Sequence, residues 1–535
     1  MSPPGPSFAR LGIAVLLALN LGLRLFHLQA DAPRSLPNGF RVSAAFRDEA
    51  AKSHESRNRA LFGEWRTSPS DQYQYWRLQS PAWTYPLAGW FKLAGVGYLQ
   101  LRLVSVAASL ITLLLGCLIL LRLGLCSGAK VFPVILGLNY YFIFITRLGL
   151  IEPTLYAWLM LAAYCLFRSE DRPAWFFGAG LAFLAAFFNK QSALYFLPVL
   201  LYAASALFRR SGKRQPGSSR RWFYLAAVVL ILVVMALPWL EPDYRLRILM
   251  NFRHGLHYPP DSQSPLLMQP APLRTLRALA QAHSPQGLFQ GFLAFHPAAA
   301  LLGVAGLVHL GLRLVRGRRV AFAEKVLGLW WLLGWLAAAA SPHLVVRFRL
   351  TEFIPLAILA SLFAGRLLSG AFSPRPSARL QQALVAAVLA VELVVSGIPY
   401  LGWAAKPSYD LVSSSRKLGE VLQGQPAVVI GEWAGPLALE NRIIYYYIKG
   451  GFNQSPEIIA RLGITHLLET LNKPDPAVNR FRRLFPEVYA HRVALARFQV
   501  ARYQLELSAV PPVTTVPGQT QEPEPEPEGE EDESL

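Results

Sequence analysis

Apolar residues in this chain gather into runs of about 20, the length that crosses the hydrocarbon core of a bilayer, separated by short polar connectors and two longer polar stretches. Runs near residues 9–29, 98–121, 131–147, 153–167, 174–188, 192–208, 222–240, 298–315, 326–341, 351–367 and 382–400 each read as a membrane-crossing helix, about eleven in all. Soluble helices rarely stay apolar on every face for so long, and a membrane barrel would instead alternate strictly over segments of about 10 residues. The first run, FARLGIAVLLALNLGLRLFHL, is followed by no clear small-residue cleavage site and reads as an uncleaved span. Past residue 400 the period shortens. AVVIGEW, ITHLLET and RFQVARYQLELS read as strands, with helical stretches around EIIARLG and PAVNRFRRLF.

The pattern therefore predicts an all-α polytopic membrane protein carrying a small C-terminal α/β domain. Residues 1–400 form the membrane module, with a first large loop at 30–97 and a second at 241–297; residues 401–508 form the α/β domain. Residues 509–535, rich in Pro and Glu with no apolar period, read as a disordered acidic tail.

Composition adds an orientation. The chain of 535 residues is 53% hydrophobic yet carries a net charge of +20, and its basic connectors RRSGKRQPGSSRR (209–221), RLVRGRR (313–319) and RPSAR (375–379) all fall on the side of the N-terminus. The positive-inside rule makes that side cytoplasmic. The loops 30–97 and 241–297, the turns near 147–152, 189–191 and 342–350, and everything after residue 400 then face outward. This predicts a multi-pass protein of the plasma (inner) membrane with a cytoplasmic N-terminus and an extracytoplasmic C-terminal domain. Anionic membrane lipids account for most of the charge, and no basic, aromatic surface module points to nucleic acid. Cys117, Cys126 and Cys165 lie in or beside apolar runs and suggest no disulfide framework.

Candidate chemistry collects on the outward side. FRDEAAKSHESRNRALFGEW places Asp48 and Glu49 together, NYYFIFITRLGLIEPTLYAWL sets Arg147 and Glu152 about a turn, AFFNKQSALYFLP holds Lys190 in a tight turn, and SPHLVVRFRLTEFIPL carries His343, Arg347, Arg349 and Glu352. Singly these fit bland roles: acidic residues favoured in a helix's first turn, an ion pair at a turn, a lysine snorkelling to the interface. Together they put carboxylates and cations from distant segments on one face, which suits an anionic substrate. A sugar linked to a lipid phosphate fits, because cations can hold the departing phosphate while a carboxylate takes the proton of an attacking hydroxyl. No P-loop and no GxGxxG in a strand–turn–helix context is present. His254 and His257 in NFRHGLHYPP read as loop histidines, with acceptor or metal contact as the alternative. Trp65, Trp76 and Trp83 suit either sugar stacking or interfacial anchoring.

At these residues the chain resembles the GT-C superfamily of membrane glycosyltransferases. The likeness is to the branch of dolichyl-phosphate-mannose protein mannosyltransferases and lipid A aminoarabinose transferases, above all bacterial members. It is carried by RDEA after the first span, SPAWTYPLAGWFKLAGVGYLQLRLVS, TRLGLIEPTLYAW, NKQSALYFLP and RFRLTEFIPLAIL, in that order over about residues 8–370. LALENRIIYYYIKG with LGITHLLE looks like the small outer domain that ends many such proteins. The resemblance implies an inverting transfer from a polyprenyl-phosphate sugar to a glycan, lipid or protein acceptor outside the membrane. It makes Asp48 the general base or acceptor-orienting carboxylate with Glu49 beside it, Glu152 a second acidic site, and Lys190, Arg347, Arg349 and Arg147 donor-phosphate cations. His254, His257 and His343 are left as acceptor or loop contacts. A divalent metal is used in some branches of the superfamily and not in others, so the cofactor stays open. GEWAGP is no match to a WWD-type motif, which argues against transfer of whole glycans to asparagine, and the 241–297 loop holds no inserted lectin-like domain of the kind eukaryotic protein mannosyltransferases carry. The alternatives are a polyprenyl-linked glycan flippase, whose internal repeats and broken midplane helices are not read here, and an O-antigen-ligase-like transferase built on the long outer loop.

Overall fold

The computed structural model describes residues 6–33, 43–73, 76–214, 219–242, 244–245, 296–340, 349–370, 375–423, 425–448, 453, 457–472 and 486–511. The described part of each stretch read above as a span is largely helical. The helices are α1 (Pro6–Leu25), α2 (Ser43–Leu61), α3 (Trp76–Gln79), α4 (Pro81–Ala94), α5 (Tyr98–Arg122), α6 (Cys126–Phe132), α7 (Tyr140–Arg147), α8 (Ile151–Arg168), α9 (Ala174–Asn189), α10 (Leu197–Arg214) and α11 (Ser219–Ala236). After the second large loop come α12 (Pro297–Val315), α13 (Phe322–Ala340), α14 (Leu350–Leu368) and α15 (Arg375–Ala405). Among the described residues six helical stretches are long and apolar enough to cross a membrane, or up to seven if one bent pair counts as a single span. Side chains such as Leu11, Val15, Val233, Leu384 and Val394 stand exposed along these helices. Lipid tails are as apolar as these residues, so the exposure suits a bilayer and the chain is an integral multi-pass membrane protein.

The run 131–147 departs from the straight span expected. Cys126–Gly137 and Tyr140–Arg147 meet at 67°. Pro133 opens a π turn there, and Gly137 packs so closely that an added Cβ would lie 2.4 Å from Asn20 Oδ1. The backbone groups freed by such a break need partners inside the bundle. Arg24 donates to Gly137 O at 3.1 Å; Asn139 caps α7 by accepting from Phe142 N at 3.0 Å and donates to Glu392 Oε1 at 2.8 Å.

Beyond α15, α16 (Asp410–Val421), α17 (Ala434–Ala438), α18 (Ile458–Leu462) and α19 (Pro486–Ala490) flank one five-stranded sheet of order β2-β1-β3-β5-β4. Strand β1 (Val428–Ile430) runs parallel to both β2 (Ile444–Tyr446) and β3 (His466–Thr470), while β5 (Tyr503–Ala509) is antiparallel to β3 and β4 (Val493–Val500). The three expected strand stretches are all present, and IIYYY adds one more.

The 30–97 stretch is not an open loop. It holds α2, α3 and α4, and α2 lies between the bundle and the sheet domain. Glu49 to Asn58 are all buried, although the helix is predominantly polar. A buried polar helix costs stability unless its groups are paired, and these are. Ser56 Oγ donates to Thr84 O at 2.8 Å, and the Arg57 guanidinium donates to the carbonyls of Ala438, Leu439, Asn441 and Ile443 on the sheet domain. Cys117, Cys126 and Cys165 are free thiols.

Candidate functional site

Consecutive helix residues point about 100° apart, so the acidic pair on α2 cannot serve one pocket with both side chains. Glu49 is fully buried and turns into the bundle. Its carboxylate accepts from Arg102 Nε at 2.9 Å and from the second Arg102 amine at 3.0 Å, and from Gly149 N at 2.6 Å. Arg102 donates as well to Leu28 O and Ala30 O, both at 2.9 Å. Glu49 thus bolts α2 to α5 and to the turn before α8. Asp48 is half-buried, and its charge reaches the Tyr447 phenol of the sheet domain.

One turn along α2 from Asp48, on the same face, lies Lys52. Its ammonium sits 3.5 Å from Glu152 Oε1, and Lys190 Nζ donates to the same oxygen at 2.8 Å. Glu152 is fully buried in the first turn of α8, and Lys190 follows the last residue of α9 with part of its side chain exposed. Two ammoniums from distant segments therefore converge on one carboxylate within reach of α2. Lys52 was absent from the expected set, although its i+4 spacing from Asp48 was visible in the sequence. Gln191 secures the turn, donating to Gln79 O, and Gln79 Nε2 donates back to Gln191 Oε1 at 3.4 Å.

Beside this cluster an apolar groove of about 660 Å³ runs between α4, α5 and α8, walled by Trp83, Pro86, Leu103, Ala107, Trp158 and Leu161. Its polar end is tied to the charged cluster. Trp83 Nε1 donates to Lys52 O at 3.0 Å, and Thr154, which also lines the groove, donates to Asn189 Oδ1 at 3.0 Å next to Lys190.

The remaining expected residues stand elsewhere. Arg147 is buried, donates to His27 O and stacks 4.2 Å over Trp403, fastening α7 to the turn after α1 and to α15. Arg349 lies 3.4 Å from Glu352 Oε1 at the start of α14. Arg347, His254, His257 and His343 lie outside the described residues, as do most of the 241–297 loop and the tail from residue 512. Among the described residues no group of three or more His, Cys, Asp or Glu side chains is placed to hold a metal ion.

Near Asp48, His54 is buried between α2 and the sheet domain, its Nε2 3.5 Å from Asp71 Oδ2 and its ring 4.5 Å from that of Tyr445. Burial lowers its pKa below the usual 6.5, outweighing Asp71, which pulls it up. The folded state thus holds His54 neutral while the unfolded chain takes up a proton as pH falls through 6.5. Its contribution to stability is complete above that pH and declines below it. We expect the Tm in detergent to fall between about pH 7.5 and 5.5, and His54→Gln to remove part of that fall; an unchanged pH slope in the variant would rule this out.

Residues 75–241 match the family model described as dolichyl-phosphate-mannose-protein mannosyltransferase. No curated protein matches the chain by sequence. Among solved structures, the chain is similar to the archaeal oligosaccharyltransferase AglB from Archaeoglobus fulgidus, in complex with an inhibitory peptide and a dolichol-phosphate. There the TM-score is 0.56 at 11% identity, covering 86% of this chain and 69% of that one. ArnT from Cupriavidus metallidurans, bound to undecaprenyl phosphate, is similar with a TM-score of 0.56 at 13% identity, over 95% of this chain and 98% of that one. The shared fold is that of the GT-C enzymes, and with the family match it makes this chain a glycosyltransferase.

Proposed function

We propose that this membrane glycosyltransferase moves a single sugar from a polyprenyl-phosphate donor to a hydroxyl-bearing acceptor on the outer face of the membrane, with inversion at the transferred carbon. The observation that carries this reading is the convergence of Lys52 and Lys190 on Glu152, one helical turn from Asp48 and at the head of an apolar groove. The two ammoniums bind the donor phosphate and stabilise the charge that grows on it as the sugar leaves. Glu152 neutralises them until the donor arrives. The prenyl chain lies in the groove, which is apolar where a hydrocarbon needs it. Asp48 takes the proton of the acceptor hydroxyl as that oxygen attacks the sugar from the side opposite the phosphate.

The orientation follows the basic connectors, with about eleven crossings, a cytoplasmic N-terminus and the sheet domain outside the plasma (inner) membrane. AglB and ArnT, whose solved complexes hold dolichol-phosphate and undecaprenyl phosphate, support the donor class. Arg347 and Arg349 are assigned as further donor-phosphate cations, and His254, His257 and His343 as acceptor-side contacts. Arg147 and Glu49 are assigned to holding the framework.

The phosphate cradle is tested by its donor dependence. Each charge-assisted contact contributes about 1.5–3 kcal/mol, so Lys190→Ala and Lys52→Ala should each raise the KM for the donor roughly 10- to 100-fold. Their KM for the acceptor should stay close to wild type. A selective rise in acceptor KM would move these lysines to the other substrate.

A further inference from the structure

Three consecutive residues of α2 point in three directions and meet three different parts of the molecule. Glu49 is fixed inward by Arg102 and Gly149. Arg47 is fixed on the other side by an ion pair with Glu432 of the sheet domain, its guanidinium 5.9 Å from the Trp433 ring. Asp48 stands between them.

The segment that holds Arg47 is itself rigid. It leaves β1 through Gly431, which passes so close to β3 that an added Cβ would lie 2.2 Å from Leu468 O. Trp433 is buried and packs 5.0 Å from Tyr503. The segment then enters α17, whose far end is gripped by Arg57 through the carbonyls of Ala438, Leu439, Asn441 and Ile443. Midway, Tyr445 OH donates to Ala50 O at 3.3 Å. The sheet domain thus holds α2 at residues 47 and 57, points about 15 Å apart along the helix axis, and so fixes both its rotation and its slide.

The two attachments differ in kind. Arg57 is buried, and its grip holds the domains together. Arg47 and Glu432 keep side-chain exposures of 30% and 23%, and a pair that open contributes little to stability. A contact of small energetic weight that immobilises the residue before Asp48 acts on orientation.

We infer that Arg47 and Glu432 form a strut through which the sheet domain positions Asp48 for attack by the acceptor, making both of them positioning residues for the transfer. This rests on Asp48 as the carboxylate base proposed above. A misplacement of about 1 Å at a reacting group can cost up to 10²-fold in rate, so loosening the strut should lower kcat while leaving donor binding and folding intact.

The test uses the full-length protein in proteoliposomes with radiolabelled undecaprenyl-phosphate monosaccharides, comparing wild type, Asp48→Asn, Glu432→Gln, and the charge exchange of Arg47→Glu with Glu432→Arg. The expected result is a loss in kcat of about 10- to 100-fold for Glu432→Gln at unchanged donor KM and Tm, restored in large part by the charge exchange. An activity-free readout runs beside it: a spin label at Asp48→Cys should become more mobile when Glu432→Gln is added. Unchanged kcat and label mobility in Glu432→Gln, with Asp48→Asn inactive, would overturn the strut and leave the base assignment standing. Loss of Tm together with kcat, without restoration by the exchange, would make Glu432 a folding residue and also overturn it. An active Asp48→Asn would remove the base assignment beneath it.

Discussion

Asp48→Asn should abolish sugar transfer, lowering turnover by about 10²–10⁴-fold, and leave the unfolding transition where it is. The substitution keeps the size of the side chain and removes its negative charge, and with it the ability to take a proton from the acceptor. Asp48 is half-buried on α2, and the contacts that hold this helix include those of Arg47, Glu49, Ser56 and Arg57. Donor binding, assigned to Lys52 and Lys190, should persist at wild-type KM. Thermal unfolding in detergent and donor binding measured on the same preparation distinguish loss of chemistry from loss of fold. A variant that unfolds early or fails to bind donor would make Asp48 structural.

The neighbouring residue should fail in the opposite way. Glu49 and Arg102 form a bidentate pair with both partners almost fully buried, and truncating either leaves a charge in the interior without its bonded counter-ion. Breaking such a pair typically costs about 3–5 kcal/mol. Arg102→Ala also frees the carbonyls of Leu28 and Ala30, and Glu49→Ala frees Gly149 N, so both variants should lose Tm and yield in the membrane together. Replacing both residues with apolar side chains of similar volume should recover much of that loss, because a buried pair is expensive to break and often nearly neutral to replace. If Glu49→Ala folds with the stability of wild type and loses only turnover, Glu49 belongs to the chemistry after all.

This division of labour within one acidic pair was only partly legible in the sequence. The pattern marked RDEA as a candidate place for chemistry, and the helical step of 100° already required its side chains to part. It did not say which would face the bundle. That was set by Arg102, hidden one turn inside an apolar span, and by Gly149 in a turn read for its neighbours Arg147 and Glu152. The burial of α2 was less accessible still, since its polar surface matches water in composition and finds its partners only when Ala438 to Ile443 fold back over it from nearly 400 residues away. The break at residues 138–139 had left a signal in Pro133, Gly137 and Asn139, which the apolar run concealed. The helices and the strands were readable because lipid and sheet impose a period; the convergence of Lys52 and Lys190 on Glu152 was not, because nothing periodic connects α2, α8 and α9.

The decisive measurement is transfer from a panel of radiolabelled polyprenyl-phosphate monosaccharides in sealed proteoliposomes, wild type against Asp48→Asn, with label followed both into acceptor and across the bilayer. The expected result is that one donor is consumed by the wild type, its label appears in acceptor, and the variant transfers none. Label that crosses the bilayer as intact lipid with no transfer, or an Asp48→Asn variant that turns over like wild type, would contradict a carboxylate-driven glycosyl transfer at this site.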